Sequence, residues 1–303
     1  MPNHSVVTWN TVLLYEGDPV ALLDFHDSIG AEAICIKIGN GKTPWVGLEP
    51  AIAEAKRRGK KVVGWHYVKG LKDEEYIIAD NAEELGVDLL VPDVEGHWKR
   101  NAPLTDKARR AKAERWMKVF TTRFSGEIAL CSVWKPSLHK KIPVEVFLNN
   151  GCTLNMPMLY WIGRRTNAGV ITLIEESLEE YGRLANWSPS ETIPILASYG
   201  QSYTIRLKKY WWKTTVEQMK VAYDHSIKMG CPSVSWWCLD YLLGGPGHEA
   251  PKGIPEHRFI ETIRSFGSAP PTPSPVPATL REMARKLRLD AGLLDRIASE
   301  LNQ

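Results

Sequence analysis

The sequence predicts a parallel α/β barrel over residues 1–266, followed by a proline-rich linker and a short helical tail. Three observations lead there. Short β-rich runs alternate with helical stretches along the chain, which is the pattern of parallel βαβ units. Eight such units fit within roughly 260 residues, the usual size of a (β/α)8 barrel. No glycine-rich phosphate loop follows the first strand, as a doubly wound open sheet would favour.

The elements follow in order. Residues 6–9 read as the first strand and 19–28 as the helix after it. The second strand covers 33–38 and is closed by Gly39, Asn40 and Gly41, and a helix over 48–58 is terminated by Gly59. The third strand runs 61–67, with a helix over 73–85 that stops at Gly86. The fourth covers 89–95 and precedes a long helix over 106–124. Strands at 127–133, 158–162, 193–197 and 233–238 are paired in the same way with helices at 143–149, 171–184, 214–229 and 255–266.

Composition changes abruptly after that. Residues 267–278 hold five prolines among small residues, an extended and semi-rigid linker. In the tail, 279–303, Thr279 and Glu282 have capping-box spacing. Leu280, Met283, Ala284 and Leu287 then share a helical face, and a second short helix carries Leu294, Ile297, Ala298 and Leu301. Two such helices bury little alone. They are expected to dock on the barrel, on a copy of themselves or on a partner assembly.

Composition also excludes several function classes. A net charge of +3 gives no field of the size that nucleic acid or an anionic membrane calls for. The basic run 56–61 falls at the end of a helix, where cations suit the negative helix terminus. No apolar run is long enough to span a bilayer. Cys35, Cys131, Cys152, Cys231 and Cys238 are scattered and odd in number, with no C-x-x-C pair. Together with the absence of a basic-then-apolar leader, they point to synthesis in a reducing cytoplasm without a signal peptide. The 12 tryptophans are unusual, and Trp65, Trp134, Trp161, Trp236 and Trp237 fall in or near strands. Such rings either fill a core or line a sugar-binding cleft.

The clearest chemistry lies in the fourth strand. Leu89, Val91, Asp93 and Glu95 are spaced two apart and share one face. Leu89 and Val91 would fill barrel layers, leaving the two acids at the carboxyl end, where barrel enzymes keep their active sites. Their Cα atoms would be roughly 6.6 Å apart, near enough for one carboxyl to raise the pKa of the other. Acid/base catalysis uses such a pair. A cap, or a salt bridge to Lys99, Arg100 or a neighbouring strand, is the structural alternative.

The surrounding order narrows the choice. The run 34–41 (ICIKIGNG) carries a lysine beside a glycine turn, residues 63–67 read VGWHY, and residues 91–95 read VPDVE. This progression resembles the family 25 glycoside hydrolases, the lysozyme-like muramidases of phages and microbes, over roughly residues 31–98. Their D-x-E motif is matched fully by Asp93 and Glu95. Their G-x-Y-H-F-like strand is matched imperfectly by Gly64, His66 and Tyr67, since Trp65 intervenes and Tyr67 replaces Phe. The resemblance implies Glu95 as general acid/base, with Asp93 positioning a substrate acetamido group or stabilising positive charge. It implies peptidoglycan or a related amino-sugar polymer as substrate, and a protein released to the cell wall or carried in a virion. One departure matters. The family's acid near the end of the first strand is replaced by Asn10, which hydrogen-bonds but does not titrate; Asp240 is an alternative second carboxylate.

His66, Tyr160, Tyr199, Gln201 and Trp236 are the remaining candidates for substrate binding, each near an expected strand end, with core roles as the alternative. No metal site is expected, because His66 and His97 have no third ligand at a recognisable spacing, and no cofactor motif is present. The tail resembles the helical half of a LysM peptidoglycan-binding repeat without its strands, and self-association or docking is the preferred expectation for it. Two functional readings follow. One is a glycoside hydrolase. The other is a non-catalytic barrel that binds carbohydrate or serves a virion or cell-envelope assembly.

Overall fold

In the computed structural model, residues 4–8, 17–103, 105–205, 208–238 and 256–267 are described. The strands are β1 (His4–Thr8), β2 (Ala33–Asn40), β3 (Thr43–Pro44), β4 (Lys61–Val68), β5 (Leu89–Val94) and β6 (Glu127–Val133). They continue as β7 (Leu154–Leu159), β8 (Ile195–Ala197), β9 (Gly200–Ile205), β10 (Lys208–Lys213) and β11 (Val234–Trp237). Eight of them pair in parallel in the order β1-β11-β8-β7-β6-β5-β4-β2, and β1 also pairs with β2. That last pairing closes the ring, so the chain folds as the expected (β/α)8 barrel.

The helices are α1 (Pro19–Ser28), α2 (Glu49–Arg57), α3 (Glu74–Leu85), α4 (Gly96–Asn101), α5 (Asp106–Arg123), α6 (Val144–Asn149), α7 (Asn167–Ala185), α8 (Val216–Lys228) and α9 (Glu256–Gly267). Local chemistry starts several of them. The Asp18 carboxylate accepts from the Val20 amide at 2.8 Å, and Thr166 accepts from Gly169 at 3.1 Å. Thr215 and Gln218 form a reciprocal capping box ahead of α8.

Strand alternation then sorts the side chains into two layers. Ile34, Ile36 and Ile38 of β2 join the large cluster between sheet and helices, whereas Ala33 and Cys35 belong to a smaller cluster on the barrel axis. Val63 and Trp65, Leu89 and Val91, and Ala129 and Cys131 continue that inner cluster around the ring. All five cysteines are buried free thiols.

Two parts of the chain differ from expectation. The sixth barrel strand is Leu154–Leu159 rather than 158–162. Asn155 and Pro157, residue types depleted in strands, both carry ladder register with β6. Residues 200–205 and 208–213, to which the sequence assigns no element, pair antiparallel as β9 and β10 beyond β8. The basic run 56–61 is engaged locally: Arg58 pairs with Asp24, Asp27 and Glu54, and Lys60 with Asp27. Among the described residues no helix is long and apolar enough to cross a membrane. Apart from Gly267, which ends α9, the expected linker and tail (267–303) lie outside the described residues.

Candidate active site

The inner face of β5 carries Leu89, Val91 and then Asp93, each beside a lumen residue of its neighbours. In the ladder, Asp93 is the register partner of Tyr67 on β4 and of Cys131 on β6. Asp93 is 2% exposed. Cys131 stands beside it on β6, and Oδ1 is buried without a partner among the described residues. Burial, with the Glu95 charge second, pushes the Asp93 carboxyl well above the usual range.

Glu95 follows directly, at the position before the first turn of α4. Its side chain caps nothing there, and among the described residues it forms no ion pair. The structural alternatives of a cap or a salt bridge to Lys99 or Arg100 are therefore not what the geometry contains. Burial raises the Glu95 carboxyl too, and the Lys99 ammonium one turn away opposes the rise. Two adjacent carboxyls whose proton affinity burial raises, at the carboxyl end of a barrel strand, are groups of the kind that acid/base catalysis uses.

Aromatic and cationic groups surround the pair. Lys37 continues the inner face of β2, is 4% exposed, and holds its ammonium 4.8 Å from the Trp45 ring centre and 4.9 Å from that of Trp65. Its charge lowers the Asp93 pKa, against the effect of burial. Trp65 packs edge-on to Trp237 at 5.2 Å, Trp237 lies 6.4 Å from Tyr160, and Tyr160 meets Tyr199 at 5.6 Å. The Tyr160 hydroxyl is buried and unpartnered among the described residues, and Asp93 is among the charges that raise its pKa. Tyr160 and Tyr199 thus lie with the carboxylates at one end of the barrel. Tyr199 also packs on Trp212 of β10 at 5.8 Å, which ties the β9–β10 pair to that wall.

Two candidates are corrected. His66 points away from the lumen, because Val63, Trp65 and Tyr67 occupy the inward phase of β4. Its imidazole is fully buried, with Nε2 at 2.9 Å from the Gly41 carbonyl oxygen. Burial, together with the Lys37 charge, pushes its pKa down to about 4. His66 is therefore a structural support under the β2–β3 turn. Trp236 likewise faces the helix layer, stacked on Phe266 at 5.7 Å with an interplanar angle of 10°; its neighbour Trp237 takes the inward position. Gln201 falls in β9. Asn10 and Asp240 lie outside the described residues.

Lys37, Tyr67 and Cys131 lie beside the carboxylate pair without being binding candidates in the sequence analysis, which names Trp65 and Trp237 only as core-filling or cleft-lining rings. The signal was available for most of them. The alternation that puts Leu89, Val91 and Asp93 on one face also puts Ala33, Cys35 and Lys37 together, and Val63, Trp65 and Tyr67 together.

The sequence matches no known protein family and no curated protein. Its fold, in contrast, is shared with solved glycoside hydrolases. The spore cortex-lytic enzyme SleL of Bacillus megaterium QM B1551 superposes with a TM-score of 0.56 at 10% identity, over 89% of this chain and 75% of SleL. A chitinase from Chromobacterium violaceum ATCC 12472 gives 0.59 at 9% identity, over 89% of this chain and 100% of the chitinase. Human YKL-39, described as a pseudo-chitinase with retained chitooligosaccharide binding properties, gives 0.58 at 9%, again over 89% and 100%. At these identities the likeness is one of fold.

Proposed function

We propose that this protein is a glycoside hydrolase acting on peptidoglycan or a related amino-sugar polymer, with Glu95 as general acid/base. The observation that carries the reading is the Asp93–Glu95 pair at the carboxyl end of β5, with Asp93 buried and Glu95 half-buried, so that the proton affinity of both is raised. The D-x-E resemblance to family 25 and the fold shared with chitinases and SleL support the same class. In this reading a glycan lies across the barrel mouth with sugar faces against the aromatic wall of Trp65, Trp237 and Tyr160. Glu95 donates its proton to the glycosidic oxygen as the bond to the anomeric carbon breaks. Asp93, whose neutral form burial favours, positions the substrate's acetamido group, and a water adds to the anomeric carbon to complete the hydrolysis.

The test is incubation of the full chain with purified peptidoglycan and with chitin-type oligosaccharides at several pH values, followed by counting of new reducing ends. Turnover on either polymer supports the reading. Binding without turnover by the intact protein overturns it in favour of a non-catalytic carbohydrate-binding barrel. That second reading is favoured by Asn10, which stands where the family carries an acid.

A further inference from the structure

The connection between β2 and α2 lies on the carboxyl face of the barrel, the face on which the Asp93–Glu95 pair stands. It starts as the β2–β3 hairpin and continues through Pro44, Trp45 and Val46. Pro44 and Val46 are exposed, Val46 to 81%, and Trp45 between them is half-buried. An apolar run that stays this far in water contributes little to folding, and its place at the barrel mouth calls for another use.

Trp45 is nonetheless fixed in position. Its amide donates to the Ile38 carbonyl at 2.9 Å, and the Gly41 amide donates to the Tyr67 carbonyl at 2.8 Å. Gly39 pairs with Pro44 and Asn40 with Thr43 across the hairpin. Beneath the turn, His66 Nε2 lies 2.9 Å from the Gly41 carbonyl oxygen. The indole ring is held as well, since the Lys37 ammonium lies 4.8 Å from its centre and 4.9 Å from that of Trp65. Two tryptophans thus flank one cation. Trp45 therefore stands at the β2 end of the aromatic wall that continues through Trp65, Trp237 and Tyr160. Its strand is separated from the carboxylate strand by β4 alone. A flat ring that is already immobilised loses little freedom when a sugar face packs on it.

We infer that Trp45 is a stacking platform for a sugar residue of the bound glycan that lies away from the cleaved bond, on the β2 side of the mouth. The inference rests on the hydrolase reading and deepens it: the site grips an extended chain, so the preferred substrate is an oligomer or polymer rather than a disaccharide.

The experiment is titration calorimetry on the full chain carrying Glu95→Gln, which prevents turnover. Chitin oligosaccharides and peptidoglycan glycan fragments are each lengthened stepwise from the disaccharide. In at least one series, affinity is expected to rise about tenfold at the length that first reaches Trp45, an amount one well-placed aromatic contact supplies. Adding Trp45→Leu, which keeps apolar volume without a flat ring, should abolish that step and leave shorter oligomers unchanged. Trp45→Tyr, which keeps a ring, should retain most of it, with thermal unfolding confirming that both variants fold. A step that survives Trp45→Leu, or no step before the substitution, overturns the platform and leaves the hydrolase reading intact. Equal weakening at every length, disaccharide included, also overturns it, because Trp45 then acts through Lys37 and the lumen. If no oligosaccharide binds, both fall.

Discussion

Tyr67 and Asp93 stand side by side as register partners on adjacent parallel strands, and Tyr67 also joins His97 through a 2.6 Å bond between its hydroxyl and Nδ1. The tyrosine thus connects the carboxylate strand to α4. Burial, and after it the charges of Glu95 and Asp93, push its pKa up to about 12. It remains a neutral hydroxyl throughout any working pH. Tyr67→Phe removes this connection while keeping the ring. Stability should fall by about 0.5–1.5 kcal/mol, the usual contribution of such a bond, and turnover should fall with it if the bond holds α4 and Glu95 in place. Kinetics on the parent's best oligosaccharide, with thermal unfolding alongside, provides the check.

Lys99→Gln removes the cation that opposes the rise of the Glu95 pKa. With the ammonium gone, Glu95 holds its proton to higher pH. The alkaline limb of kcat/KM, which marks loss of the acid's proton in the free enzyme, should therefore move upward. A limb that moves downward or stays in place would separate Lys99 from Glu95 electrostatically.

His66 predicts a pH dependence of stability. Its folded pKa is about 4 against an ordinary 6.5, so the folded state resists protonation. The contribution is fully present above pH 6.5 and is lost as pH falls through about 4. At about 1.4 kcal/mol per unit, the loss over that window is about 3 kcal/mol. His66→Gln should flatten that part of the stability profile, measured by denaturant unfolding at pH 7, 6, 5 and 4.

Gly39→Ala tests the support beneath Lys37. A Cβ at position 39 would run into Cε1 of His66 and lie 2.6 Å from its Nδ1. The buried imidazole must move, at a cost of about 1–3 kcal/mol for overpacking. Calorimetric melting should show the loss, and an unchanged melting temperature would mean that β2 and β4 have room to separate.

The barrel was legible because its strands carry β-branched runs and its helices end in glycines such as Gly59 and Gly86. The last helix and the carboxylate strand followed from the same periodicity. The misplacement of the sixth strand has a local cause, since Asn155 and Pro157 suppress the strand signal that their neighbours in the ladder supply. Trp236 and Trp237 show a different limit. Adjacent aromatics in a strand face opposite ways, and only the packing of Phe266 decides which one is outside. His66 was readable in principle: it is one residue from Trp65 and Tyr67, so it belongs to the opposite face.

The central claim is that Glu95 supplies the proton for glycosidic cleavage, and comparison of the parent with Glu95→Gln tests it most directly. The amide preserves shape and most hydrogen bonding but cannot act as an acid. Release of reducing ends from the polymer that the parent cleaves should fall by about 10²–10⁴-fold, the range general acid catalysis contributes, while oligosaccharide binding persists. Turnover undiminished in Glu95→Gln would contradict the account.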